Sequence, residues 1–151
     1  MIRNAELSDL TIIQNICRTT IKEIYPHYYP KGAVEFFLEH HNEKNIISDI
    51  NKSIVFICID NQQNPVGTVT LNNNEICRLF VLPEHQGNGY GCELLEFAEE
   101  SVFKQYDEII LDSSLPAKRI YLKRGYKEIK SDIISTNYGD FLCYDVMIKQ
   151  L

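Results

Sequence analysis

A change of period near residue 53 narrows the fold more than any other feature of this chain. Before it, Leu10, Ile13, Cys17, Ile21 and Ile24 recur at helical spacing until "YPHYYP" (Tyr25 to Pro30) interrupts them. Helices are expected over 32–41 and around 45–50. After it come three runs rich in β-branched and aromatic residues, "SIVFICID", "VGTVTL" and "EICRLFVL". The polar stretches "NQQNP" and Asn72 to Asn74 separate them. Three strands with turns this short make an antiparallel meander. Ile2 to Ala5 reads as a short first strand, with Ser8 as the N-cap of the helix that follows. Beyond residue 91, Leu94, Leu95, Ala98 and Val102 mark one helix face, and "EIILD" is a strand. "PAKRIYLKRG" is a short helix with Pro116 in its first turn, Lys123 and Arg124 in its last, and Gly125 as its cap. Strands near 126–134 and 141–149 close the chain. The class is α+β, a mixed sheet flanked by helices, forming a single domain over 1–151.

Composition removes several function classes. The 151 residues carry a formal charge of −6, which argues against a nucleic-acid partner, since that needs a basic face to neutralise phosphates. No apolar run approaches bilayer length, and "MIRNAELSDL" lacks the apolar core of a signal peptide, so no membrane is expected and the chain reads as cytoplasmic. Cys17, Cys58, Cys77, Cys92 and Cys143 are odd in number, scattered and without a C-x-x-C pair. They are expected to be reduced, mostly buried thiols, with neither a disulfide framework nor a metal site. His40 and His41 fall at a helix end, where a cationic ring meets the dipole favourably.

"PEHQGNGYG" (Pro83 to Gly91) sets three glycines at alternate positions between a strand and an amphipathic helix. Backbone N–H groups of such a loop, with those of the helix's first turn, bind an anion. A nucleotide P-loop needs G-K-[ST], but Cys92 and Glu93 follow Gly91. A dinucleotide fingerprint needs a glycine at position 92 or 94, which are Cys and Leu. The pattern that fits is Q/R-x-x-G-x-G/A, matched by Gln86, Gly89 and Gly91.

In that setting the loop resembles the GCN5-related N-acetyltransferase (GNAT) superfamily. "AKRIYLKRGY" (Ala117 to Tyr126) is similar to the family's late A-x-x-x-Y-x-x-x-G-F/Y signature, and the order of elements agrees along nearly the whole chain. The resemblance implies a sheet that splays after "RLFVL", with acetyl-CoA as donor. The CoA pyrophosphate would lie on the backbone of Gly87, Asn88, Gly89, Tyr90 and Gly91, with the Gln86 side chain as a further contact. Pantetheine would run as a false strand beside Phe80 and Val81. An asparagine often precedes the family's alanine by three residues. Here that position is Ser114, whose shorter reach weakens it as a cofactor contact.

Acetyl transfer to an amine needs a neutral nucleophile, an oxyanion donor and a proton for the leaving thiolate. An alkylammonium near pKa ~10 is mostly charged at neutral pH, so a base is required. The resemblance implies the Val81 backbone N–H for the oxyanion and Tyr121 as the acid. Glu75 is the base, or else a solvent-facing turn glutamate. Six residues separate it from Val81, and this even spacing puts the two side chains on one face of an unbulged strand. Tyr25, Tyr28 and Tyr29 either line the acceptor site or pack beneath a loop. The expected activity is direct transfer to a primary amine of a small molecule or protein. A non-catalytic acyl-CoA-binding or regulatory module, and a transferase for another acyl group, are the alternatives. Exposed edge strands allow a homodimer.

Overall fold

The computed structural model describes all residues, 1–151. Seven strands form one sheet in the order β1-β2-β3-β4-β5-β7-β6. They are β1 (Ile2–Asn4), β2 (Val55–Ile59), β3 (Pro65–Asn72), β4 (Glu75–Val81), β5 (Glu108–Ser113), β6 (Lys127–Ser135) and β7 (Phe141–Gln150). Every neighbouring pair is antiparallel except β4–β5, which is parallel. The meander over β2, β3 and β4 is as the change of period predicts.

Five helices cover the two faces: α1 (Leu10–Ile24), α2 (Lys31–His40), α3 (Glu43–Asn51), α4 (Tyr90–Phe103) and α5 (Leu115–Lys123). The apolar spacing of α1 buries Ile13, Ile16, Cys17 and Ile21 in a front core with Phe80, Ile57 and Leu142. On the back, Leu94, Leu95, Ala98 and Val102 of α4 join Val69, Val81, Ile109, Leu111, Tyr121 and Met147. None of the helices is long and apolar enough to cross a membrane.

Ser8 is not a helix N-cap. A 3₁₀ turn (Leu7–Asp9) precedes α1, α1 carries no side-chain cap bond, and the turn is closed by a capping box between Glu6 and Asp9. The Asp9 carboxylate accepts the Glu6 N–H at 2.8 Å and pairs with the Arg3 guanidinium at 2.8 Å, a stronger set of bonds than one hydroxyl offers. All five cysteines are free, but Cys77, Cys92 and Cys143 are exposed, so the expectation of mostly buried thiols holds for Cys17 and Cys58 alone.

Two features of β4 position the site. First, β4 and β5 pair at one point only, Glu75 opposite Ile110, and then diverge. Second, a β-bulge at Cys77 shifts the register against β3, from Thr70 opposite Arg78 to Leu71 opposite Ile76. The extra residue reverses the alternation of faces. Ile76 therefore shares the back core with Val81, while Arg78 and Phe80 face front.

Candidate active site

The glycine loop joins β4 to α4. Gly87 and Gly89 take φ of 79° and 91°, the left-handed region that glycine enters without penalty. A Cβ built on either would meet no atom within 4 Å, so the loop is open on that side. The N–H groups of Gly87, Asn88, Gly89, Tyr90, Gly91 and Cys92 have no acceptor in the protein; hydrogen bonding resumes with Glu93 N–H on Gly89 O at 3.0 Å. Six successive free donors, the last three in the first turn of a fourteen-residue helix, make a cradle for an anion. The Gln86 side chain does not point into it. Its Nε2 donates to Val81 O at 3.0 Å, and Thr20 Oγ1 donates to the same carbonyl at 3.1 Å.

The loop opens onto the bare edge of β4. Leu82 N–H donates to Val66 O, which fixes the phase of the antiparallel ladder. In that phase Phe80 exchanges its backbone bonds with Thr68 of β3. Leu79 and Val81 turn theirs toward β5, which has already diverged. The backbone that an extended ligand meets in the splay is thus that of Leu79 and Val81. Phe80 contributes a ring to the front core rather than a backbone pairing.

Tyr121 stands on α5 in the same core cluster as Val81. It is 7% exposed, and burial pushes its phenol up to about 12. The Tyr126 ring abuts it edge-on at 5.5 Å between centroids. Tyr25 and Tyr29 are buried among Phe37 and Phe80, whereas Tyr28 is exposed. Tyr25 and Tyr29 are therefore packing residues of the front core that reach the start of α5. The Tyr29 hydroxyl accepts the Leu115 N–H at 2.7 Å, and the Tyr25 hydroxyl lies beside Ser114.

Glu75 does not share a face with Val81. The bulge turns it to the front, like its partner Ile110. Five regular strand steps of ~3.3 Å put its Cα roughly 17 Å from that of Val81. Burial and then the Asp112 carboxylate raise its pKa. Asp112, two residues up β5 and also on the front, is raised by burial and by Asp132, with Lys130 and His40 acting in the opposite sense. Sequence reasoning missed Asp112, because only the pairing of β5 with β7, and of β7 with β6, brings these charges together.

A second buried polar group lies beside Phe80. Arg78 donates to His41 Nδ1 at 3.2 Å and to Thr70 Oγ1 at 2.9 Å, and reaches Asp49 at 3.1 Å. Burial, then Arg78 and His40, hold the His41 pKa well below the usual imidazole value. His41 is thus neutral and uses Nδ1 as an acceptor, rather than serving as a cation at a helix end. A cavity of about 740 Å³ is walled by Arg18, Lys22, Glu35, Glu39 and the 135–138 turn. No residue of the splay or the glycine loop lines it, so it is separate from this site.

Comparison with known proteins agrees with the geometry. Residues 24–142 match the family model described as an acetyltransferase (GNAT) domain. Two proteins named N-alpha-acetyltransferase, from Saccharolobus solfataricus and Sulfurisphaera tokodaii, are 26% and 28% identical to this chain, each over 92% of it and 86% of the relative. The GCN5-related N-acetyltransferase "Aminotransferase, Class-II" from Rhodopseudomonas palustris superimposes with a TM-score of 0.90 at 23% identity, covering 100% of this chain and 95% of the other. PaiA N-acetyltransferase from Thermoplasma acidophilum, in complex with coenzyme A, superimposes at 0.77 with 22% identity, covering 100% and 98%. At such identities the structural likeness speaks for the fold, and the match over 24–142 for the family: this chain belongs to the GNAT acetyltransferases.

Proposed function

We propose that residues 1–151 act as one transferase domain that moves the acetyl group of acetyl-CoA to a primary amine. The observation that carries this reading is the row of six free N–H groups opening onto the unpaired edge of β4. A CoA pyrophosphate fits the row, and the pantetheine arm runs from it along the edge toward Val81, whose carbonyl is already taken by Gln86 and Thr20. The thioester carbonyl then accepts the Val81 N–H, which stabilises the oxyanion as the amine attacks the carbonyl carbon. Collapse of the tetrahedral intermediate breaks the C–S bond. The thiolate, whose conjugate thiol has a pKa of roughly 8.5, takes its proton from Tyr121, and the proton that the attacking nitrogen loses on becoming the amide restores the phenol. Burial of Tyr121 keeps that proton on the phenol until the thiolate appears beside it.

The acceptor enters from the front. Glu75 and Asp112 draw an ammonium toward the splay and take its proton. From ~17 Å Glu75 acts only through water, while Asp112 lies two residues nearer. The names of the two archaeal relatives favour an α-amine as acceptor, over a small polyamine or a lysine side chain. A cytoplasmic location agrees with a freely diffusing acyl-CoA donor. Release of free CoA thiol, followed with acetyl-CoA and a panel of N-terminal peptides, polyamines and free lysine, tests the reading. Tight CoA binding with no turnover across the panel would refute catalysis.

A further inference from the structure

The helix α5 carries Tyr121 but has little apolar surface to hold it. Leu115, Ile120 and Leu122 are all exposed. Three polar tethers fix it instead. Near its C-terminal end, Arg124 meets Glu99 of α4 at 2.6 Å. At its middle, Lys118 meets Asp145 of β7 and Glu128 of β6, both at 2.7 Å. At its N-terminal end, the Leu115 N–H donates to the Tyr29 hydroxyl at 2.7 Å.

The tethers differ in what they cross. Lys118 binds β6 and β7, on the β5 side of the splay, whereas Arg124 holds α5 to α4, which packs on β3 and β4 behind the sheet, and the third tether reaches the front. Tyr29 belongs to the turn between α1 and α2, which packs against Phe80 of β4 through Tyr25. The bond from Tyr29 to Leu115 therefore spans the opening between β4 and β5. The first N–H of a helix has no acceptor of its own, and the phenol oxygen supplies one. Tyr29 is itself 7% exposed and held between Tyr25, at 5.6 Å between ring centroids, and Phe37, at 5.2 Å. Its oxygen is thus a fixed point.

We propose that Tyr29 is a positioning residue for the proton transfer. Through Leu115 it sets the tilt of α5, and so the distance from the Tyr121 hydroxyl to the sulfur. Six residues of helix separate Leu115 from Tyr121, a rigid lever of about 9 Å. This inference rests on Tyr121 being the acid. A misplacement near 1 Å at a reacting group costs up to about a hundredfold in rate, and loss of one of three tethers is expected to cost about tenfold.

The test is a double-mutant cycle on single-turnover rates, read at saturating acetyl-CoA with rapid quench. Tyr29→Phe keeps the ring and removes the acceptor. It should slow acetyl transfer about tenfold and leave the Kd for acetyl-CoA within about twofold. Tyr121→Phe should be slow by itself, and adding Tyr29→Phe to it should cost nothing further, because the group being positioned is already gone. Losses that multiply in the double variant would mean that Tyr29 acts through general stability, and would overturn the proposal. A Tyr29→Phe enzyme with wild-type rate would overturn it while leaving the acid role intact. A Tyr121→Phe enzyme with wild-type rate would remove the acid role, and this proposal with it.

Discussion

Gly89 and Gly91 are two residues apart in one loop, and the structure assigns them opposite consequences on substitution. Gly91 lies in the first turn of α4, and a Cβ there would come no closer than 3.9 Å, to Val81 Cγ2. Gly91→Ala thus adds a methyl at ordinary contact distance and removes a flexible residue from the unfolded chain. It should stabilise by about 0.5 kcal/mol, or about 1–2 °C in Tm for a domain of this size, and leave CoA affinity unchanged within about threefold. Gly89 has φ of 91°. Holding an L-residue there costs ~1–2 kcal/mol, and a β-branched one more, so Gly89→Val should lower Tm by about 2–8 °C. Its larger effect is on the ligand. The side chain projects into the open side of the cradle and displaces the anion from the surrounding N–H groups. Losing two charge-assisted hydrogen bonds at ~1.5–3 kcal/mol each weakens CoA by about 10²- to 10⁴-fold. Isothermal calorimetry with CoA, beside a thermal melt of each variant, reads both quantities. Wild-type CoA affinity in a folded Gly89→Val protein would refute the placement of the anion on this loop.

Three further outcomes are expected. Glu75→Gln and Asp112→Asn should each slow turnover about tenfold at neutral pH, and the loss should shrink as pH rises and more acceptor is already neutral; a deficit that stays constant across the pH–rate profile would exclude a base role. The folded pKa of His41 lies below that of an unfolded histidine, so below about pH 6.5 the unfolded state binds a proton that the native state refuses. Stability should fall there by up to ~1.4 kcal/mol per pH unit, and urea melts of His41→Gln, whose amide oxygen still accepts from Arg78, should lack that slope. Gly32→Ala puts a Cβ 2.1 Å from Thr136 Oγ1 and 2.2 Å from Asp140 Oδ1, displacing the carboxylate that accepts the Gly32 N–H at 2.9 Å. A loss of about 1–3 kcal/mol is expected, and it should largely vanish only in a Thr136→Ala/Asp140→Ala background, where both obstacles are gone.

The elements were legible because their signals are local. Periods of 3.6 and 2, a proline-broken turn and alternate glycines all act within a few residues of themselves. The bulge at Cys77 was not, because register belongs to a pair of strands. A trace of it is present: Ile76 and Leu79 lie three apart, an odd separation for two residues on one face, and the buried Arg78 disguised it. Arg78 reads as a surface cation until Asp49, His41 and Thr70 arrive from three other elements to neutralise and bond it. The same non-locality hid Asp112, whose neighbours come from β6 and α2. Ser8 is not a cap because the chain enters α1 through a 3₁₀ turn that takes in Ser8 and is closed by Glu6 and Asp9 on either side of it.

The bare edge of β4 also bears on what the splay admits. An unpaired strand edge is ordinarily a template for aggregation, and outer edges are blunted by charge or bulges. β6 is such an outer edge and carries Lys127, Glu128, Lys130 and Asp132, with a register shift between Glu128 and Lys130. β4 is apolar at Leu79 to Val81 and has neither device there. Its limits are set by its neighbours instead. β5 converges on it at Glu75, and the side chains of Thr20 and Gln86 close the carbonyl of Val81 at the far end. The edge left open is therefore a few residues long, short for a strand ladder that gains its stability by repetition.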